Sequence, residues 1–502
     1  MNNLIFGVLT LIFSSTLYYW SWRYQQRERY WPAITLIIAG GLGLYFYTSA
    51  DFFLHYWDER YHALVAKNLL NHPLIPTLYD TPVLPYDFRD WQANHIWLHK
   101  QPLALWGMAG SMWLFGVNEI ALRIPSIALV AVAIYLVFAI GSYLFSKKTG
   151  YLAAFLFSMN GLLIPLLSGR KATDHVDIFF MFFILLSIYL TVQFCRKENP
   201  LYSFLIGFSI GLAILSKWLP ALIVLPIWLL LVGDSEKFSL KVTITNLGII
   251  LVTLTITFLP WQLYIFSVFP QEAAWESNYN FHHLIEGLEG HSGSVFYYLN
   301  RIRINYGEYI YLPLGWFTWK SLKDISNRKR LAVLIWFMVP FLFFSMAKTK
   351  MQAYLLFAAP ALFYMTAEFF YALVGLRERY RYRWVFNVIL VLIIILPIRY
   401  CVERLTVFEF MDRNPQWVID LRNLNKEKFE NGVLFNYDHP IEAMFYTDLT
   451  VYPNLPTNDA IKNLRQQGYT IIVNDDGNLP HHILATDQIV KVELAKNKDP
   501  EL

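Results

Sequence analysis

Apolar runs of about 17 to 25 residues, the length that crosses a bilayer as an α-helix, recur along this chain from its start to about residue 401. A backbone in lipid must satisfy its own hydrogen bonds, so runs of this length leave helices as the architecture. Only 16% of the 502 residues are charged, against 56% hydrophobic and 18% aromatic, where a soluble domain carries about a quarter charged residues. The fold class that follows is an α-helical polytopic membrane protein with about twelve spans. They are expected near 3–20, 32–51, 120–145, 151–168, 176–194, 201–216, 219–233, 243–265, 306–320, 331–346, 353–375 and 384–401.

Lys and Arg collect in cytoplasmic loops, and here they gather on alternate connections. Arg23, Arg27 and Arg29, then Lys147 and Lys148, Arg196 and Lys197, Lys237 and Lys241, the run from Lys320 to Arg330, and "RERYRYR" at 377–383 fall on one side. That parity places the N-terminus, the loop bearing Asp58, the segment around Asp174, the 266–305 loop, Lys348, Lys350 and everything after 401 on the outer side. The first segment lacks a basic n-region and a small-residue cleavage site and reads as a span, not a cleaved signal. Cys195 and Cys401 then sit at opposite faces, and no disulfide is expected between them.

Charge also divides the chain. From residue 401 there are 10 basic against 16 acidic residues, and upstream 31 against 21. The acidic tail, 401–502, reads as a separate soluble α/β domain after a membrane domain of residues 1–400. Strand-like runs lie at 431–437, 468–475 and 488–494. A helix over about 457–467 is capped by Thr457 or Asn458 and closed by Gly468. The membrane domain carries two long outer loops, 52–118 with amphipathic helices and 266–305.

Ionisable side chains beside a bilayer are costly enough to suggest function. Asp58 and Glu59 open "WDERYHALVAKNLL", and "LHKQP" follows at 98–102. Asp58 suits a general base that takes a proton from an acceptor hydroxyl as its oxygen attacks an anomeric carbon. Capping of the following helix is the other reading of these acids. Asp174, in "SGRKATDHVDIFF", suits acceptor orientation, assistance to the base or metal binding, with Asp177 one turn later competing and helix capping again the alternative.

Lys100, Arg170, Lys171, Lys217, Lys348 and Lys350 break the positive-inside pattern, so an anion is expected among them. Lysine binds phosphate as a point charge, which points to a lipid-linked phosphate; contact with anionic lipid or snorkelling is the plainer account of any one of them. His99, His282 and His283, with His291 nearby, offer imidazole nitrogens that suit zinc, although no fixed spacing links them and ordinary interfacial histidines fit equally. Aromatic segments such as "VFYYLNRIRINYGEYIYLPLGW" read as interface belts.

Seven segments in order, "DERYHALVAKNLL", "HKQPLALWGMAGSMWLFGVNEIALRIPS", "GRKATDHVDIFFMFF", "GLAILSKWLPAL", "LPWQLYIF", "NFHHLIEGLEGHSGSVFYYL" and "FFSMAKTKMQAYLLFAAPAL", resemble the C-type (GT-C) membrane glycosyltransferases over about residues 50–375. Within that class the similarity is to bacterial lipid A aminoarabinose transferases and relatives of protein O-mannosyltransferases. The resemblance implies a polyprenyl-phosphate-linked sugar donor and inverting transfer to a hydroxyl or phosphate acceptor, whether lipid A, protein or envelope glycan. It further implies a site on the periplasmic face of a bacterial inner membrane. It puts the base on Asp58, the second acid on Asp174 and the donor-phosphate lysine on Lys100. Lys217 matches a "TKG"-like turn, and Lys348 and Lys350 a "SKTK"-like turn, as phosphate contacts or structural anchors. His99 stands where that group has a metal-site acid, and Gln101 separates Lys100 from Pro102.

A soluble nucleotide-sugar enzyme is excluded, since there is no Gly-rich phosphate loop and no cytosolic stretch long enough to hold one. A transporter or flippase of an anionic lipid-linked sugar is the alternative, and it would place charges near the midplane between matching halves. A scaffold displaying the tail is a third.

Overall fold

The structure, a computed structural model, describes residues 3–235, 237–480, 483 and 489–495. Its elements follow the apolar runs. Helices α1 (Asn3–Gln26) and α2 (Tyr30–Thr48) precede α3 (Asp58–Asn68), α4 (Pro102–Phe115), α5 (Glu119–Leu144), α6 (Lys147–Ser158), α7 (Leu163–Leu167), α8 (Asp174–Lys197) and α9 (Leu201–Ser216). Next come α10 (Val224–Gly233), α11 (Leu240–Val268), α12 (Pro270–Ile285), α13 (Tyr297–Tyr306), α14 (Tyr311–Lys323), α15 (Arg328–Met346), α16 (Ala359–Arg377) and α17 (Arg383–Arg404). Short 3-10 turns, Leu219–Ile223 and Gln352–Ala358, lead into α10 and α16.

Every expected span meets a helix, but among the described residues only eight are long and apolar enough to cross a bilayer unaided. The run expected at 151–168 is broken into α6 and α7 around Asn160, whose side chain accepts the Leu162 amide at 3.0 Å. The run at 219–233 begins as a 3-10 turn carrying Pro220 at its start.

Two compact units emerge. The first comprises 1–49, 100–104 and 123–410, and the second 50–99, 105–122 and 411–502. The first unit is a helical bundle with a continuous apolar core running from Tyr18 to Val407. Lipid offers helices no hydrophobic drive to associate, so close backbone approach must hold them. On α9, Gly207 and Gly211 supply it. A Cβ at 207 would lie 2.4 Å from the Ile250 carbonyl oxygen, and one at 211 would lie 2.5 Å from Thr257 Cβ on α11.

The second unit joins the first outer loop to the tail. Its sheet is parallel throughout, in the order β2 (Thr450–Tyr452), β1 (Gly432–Phe435), β3 (Thr470–Asn474), β4 (Val490–Val492). Helices α18 (Gln416–Lys426), α19 (Pro440–Tyr446) and α20 (Asn458–Gln466) connect or flank the strands. Thr457 caps α20 by accepting the Ala460 amide at 3.2 Å. The expected strands at 431–437 and 468–475 correspond to β1 and β3, and β4 falls within 488–494, whose first residue, Gln488, lies outside the described residues. Strand β2 is new. Its alternation is too short to signal a strand, and parallel pairing with β1 holds it in place. The loop contributes Val83 and Leu84 to the core around Val433, Phe435 and Val473. Both of their amides donate to Tyr452 Oη at 3.0 Å.

Candidate active site

In the loop-and-tail unit, Asp58 and Glu59 occupy the first turn of α3, where carboxylates complement the unpaired amides and the helix dipole. They differ in exposure. Glu59 is fully buried and accepts the His55 amide at 2.8 Å, closing the turn into the helix. Asp58 is only half-buried. The approach to that turn is fixed by Asp51, which accepts from Arg413 at 2.9 Å and contacts His55 Nε2 at 3.1 Å. Farther along the helix, Arg60 reaches Glu442 at 3.1 Å. Lys67 donates to the carbonyls of Met444, Phe445 and Thr447 at 2.9, 3.2 and 2.7 Å. Burial pushes the Lys67 ammonium below the ordinary lysine range, with Asp448 opposing. The tail therefore grips the acid-bearing helix at both of its ends.

In the helical unit, Asp174 opens α8 after Thr173, whose φ of 62° is left-handed. Its carboxylate is fully buried and accepts the His175 amide. His175 Nδ1 meets Ser126 Oγ of α5 at 2.9 Å. One turn on, Asp177 forms a short ion pair with Lys217 at the end of α9, and Lys100 acts on the same carboxylate. The Lys217 ammonium lies 4.5 Å from the centre of the Tyr354 ring. Gln101 is tied to α11 through Gln262 Nε2 at 3.0 Å. Lys100, Asp177, Lys217 and Tyr354 thus form one polar cluster, with Asp174 a turn away.

The remaining cations are placed differently. Arg170 donates to Thr406 Oγ1 at 3.2 Å and to the Thr48 carbonyl at 3.4 Å. Lys350 is buried and caps α15, donating to the Phe344 and Ser345 carbonyls at 2.9 and 2.6 Å. Burial and then Lys348 lower its affinity for a proton. Lys348 itself is exposed. The resemblance implies phosphate contact or anchor for both lysines; the geometry of Lys350 is that of an anchor.

The expected imidazole site for zinc does not assemble. His99 stacks on Trp91 with ring centroids 4.3 Å apart. His282 pairs with Glu286 at 3.0 Å, and His283 Nδ1 contacts the Tyr279 carbonyl at 3.0 Å. Consecutive residues on a helix point about 100° apart, so His282 and His283 do not converge on one ion. Among the described residues no group of three His, Cys, Asp or Glu side chains suits a metal. The donor set does not fit the ion.

Several residues escaped sequence reasoning. Tyr354 lies within the quoted "KTKMQAYLL" run but looks like one more belt aromatic. Ser126 and His175 are joined across 49 positions. Arg123, fully buried within a span, donates to the Ser49 carbonyl at 3.1 Å; a lone arginine in an apolar run was the available signal.

The fold is that of the C-type membrane glycosyltransferases. ArnT from Cupriavidus metallidurans bound to undecaprenyl phosphate superposes with a TM-score of 0.60 at 16% identity, covering 86% of this chain and 88% of that one. The archaeal oligosaccharyltransferase AglB from Archaeoglobus fulgidus gives 0.55 at 13% identity, covering 85% and 65%. In sequence, the profile of the dolichyl-phosphate-mannose-protein mannosyltransferase family matches residues 99–261. An uncharacterized protein of Aquifex aeolicus is 28% identical over 66% of this chain and 63% of its own length. The undecaprenyl phosphate-alpha-4-amino-4-deoxy-L-arabinose arabinosyl transferase of Yersinia enterocolitica is 26% identical over 53% of this chain. The chain spans about half the length of that relative. Within its fold class it is therefore a polytopic membrane protein resembling the aminoarabinose transferases and the O-mannosyltransferases.

Proposed function

We propose that the protein is an inverting glycosyltransferase that moves a sugar from a polyprenyl-phosphate carrier to a hydroxyl or phosphate acceptor, on the periplasmic face of a bacterial inner membrane. The observation that carries this reading is the cluster of Lys100 and Lys217 around Asp177, within a fold and a sequence similar to enzymes of this class. Two cations gathered at one carboxylate offer ammonium groups that a carrier phosphate can share. Asp58 takes the acceptor proton as the acceptor oxygen bonds to the anomeric carbon, and the bond from that carbon to the carrier phosphate breaks. The lysines stabilise the charge that develops on the leaving phosphate. Asp174 orients the acceptor, and Glu59 and Asp51 hold the turn that presents Asp58.

The test is transfer from a panel of radiolabelled polyprenyl-phosphate sugars into a crude membrane extract by purified wild type, Asp58→Asn and Lys100→Ala. Wild-type transfer that falls about 10²- to 10⁴-fold in Asp58→Asn, the usual worth of a general base, supports the reading, and the labelled product identifies the acceptor. Equal transfer by both variants would refute the assignment of the site, and no transfer from any donor would refute the activity.

A further inference from the structure

One group of cations lies outside the cluster just assigned. Lys171, two residues before Thr173 and exposed to solvent, is acted on by two charged groups, Arg404 and Arg301, both positive. They come from three segments: the loop ahead of α8, helix α13, and the last turn of α17. Arg170, beside Lys171, reaches Thr406, two residues beyond Arg404. Like charges brought together by separate elements repel unless an anion sits among them.

Hydrogen bonding points the same way. Arg404 Nη1 is buried and makes no hydrogen bond, while Nη2 makes only a long one, 3.4 Å, to the Ile304 carbonyl. The guanidinium lies against the backbone at Gly161, where a Cβ would approach Nη1 to 2.8 Å and the Tyr400 carbonyl oxygen to 3.0 Å; glycine is what allows it to seat there. Flanking these contacts, Asn160 Nδ2 and Asn305 Oδ1 are also buried without partners. Buried polar groups are ordinarily satisfied, so three orphans beside a cationic cluster mark a polar site.

Nearby carboxylates offset only part of this charge. Glu403 acts on Arg404, but its Oε1 accepts from Arg399 at 3.1 and 3.2 Å. Glu308 accepts from Tyr400 Oη and lies 3.9 Å from Arg399.

We propose that Lys171, Arg301 and Arg404 form a second anion site, separate from the Lys100–Lys217 cluster, that binds the phosphate headgroup of a lipid. Guanidinium forks match phosphate oxygens two at a time, and a lysine adds a point charge. Exposure of Lys171 provides entry, and Arg404, with its Nη1 buried against Gly161, provides the fixed end. The site stands whether or not the chain transfers sugar.

The experiment is lipid binding to the full chain in phosphatidylcholine nanodiscs, counted by native mass spectrometry at increasing salt. Undecaprenyl phosphate and dioleoyl phosphatidylglycerol are the two probes. Lys171→Gln with Arg301→Gln should lose one bound phosphate lipid, or weaken it at least tenfold, and this loss should add to any that Lys100→Gln causes at its own cluster. The charge-conserving pair Lys171→Arg with Arg301→Lys controls for folding and should bind within about threefold of wild type. Loss of undecaprenyl phosphate alone identifies the carrier as the ligand, and loss of phosphatidylglycerol alone identifies a bilayer lipid. Unchanged stoichiometry and affinity for both probes in the double Gln variant would overturn the proposal, as would an equal loss in the charge-conserving pair.

Discussion

The two units treat charge in opposite ways. In the loop-and-tail unit three buried carboxylates have a cation or hydroxyl facing them: Asp51 with Arg413, Glu442 with Arg60, and Glu119 with Arg422 at 2.8 Å and Tyr446 Oη at 2.6 Å. In the helical unit cations gather, with Lys100 and Lys217 both acting on Asp177 and Lys171 acted on by two arginines. A unit whose charges close on themselves holds a shape. A unit that gathers cations from separate elements is suited to an anion from outside. On the proposed reading the difference separates ionisable residues that build the protein from those that meet a substrate.

The sharpest way to break the comparison is to remove one carboxylate from the closed unit. Asp51 is fully buried, and Asp51→Ala removes the carboxylate to which the mostly buried Arg413 donates; breaking a buried pair in this way typically costs about 3–5 kcal/mol. Thermal unfolding in detergent should show a transition many degrees lower, and Asp58→Asn, which touches the half-exposed acid, should show none of this. If Asp51→Ala melts with wild type, the ion pairs of this unit do not hold it together.

How far the sequence discloses these roles depends on how local they are. Span positions, the α20 cap and the two strands β1 and β3 follow from periodicity and capping chemistry, all read within a dozen residues. The order of motifs brings Asp58, Lys100, Asp174 and Lys217 into view. What stays hidden is pairing over distance. Arg60 and Glu442 are 382 positions apart and Asp177 and Lys217 are 40 apart, and no propensity links them. For the same reason the sequence leaves Lys350 open between phosphate contact and anchor, because a helix cap is defined by carbonyls that carry no sequence label. The histidines look like metal ligands until their separate neighbours are known.

A smaller effect, opposite in sign, comes from the open unit. Desolvation and then Arg404 and Arg301 hold the Lys171 ammonium below the ordinary lysine range. A lysine whose folded-state affinity for protons is depressed carries its full penalty at lower pH. In the window between its folded value and the ordinary lysine value the unfolded chain binds more protons, so stability rises with pH there. Lys171→Gln removes both the penalty and that slope. It should therefore raise stability without added phosphate lipid, by a few tenths to about 1 kcal/mol after solvent screening, and flatten the alkaline limb of a stability profile measured from neutral to high pH. Destabilisation by Lys171→Gln in the lipid-free protein would erase the contrast between the units.

The smallest effect sharpens the comparison inside the proposed site itself. Trp218, directly after Lys217, has φ 136° and ψ −164°, a backbone region that is essentially reserved for glycine and costs a larger residue about 1–3 kcal/mol. The position is the third of the "TKG"-like turn that the sequence resembles, and a glycine there would meet this backbone without strain. The indole packs partly against the apolar core, and that packing offsets the strain while the turn holds Lys217 against Asp177 and Tyr354. Trp218→Gly trades packing for relief, whereas Trp218→Ala loses packing and keeps the strain. The glycine variant should melt above the alanine variant by on the order of 1 kcal/mol and stay near wild type. It should also keep the affinity for a polyprenyl-phosphate probe, since the lysine turn survives. An alanine variant at least as stable as the glycine one would mean that the turn is unstrained, and that Lys217 is placed by its ion pair with Asp177 alone.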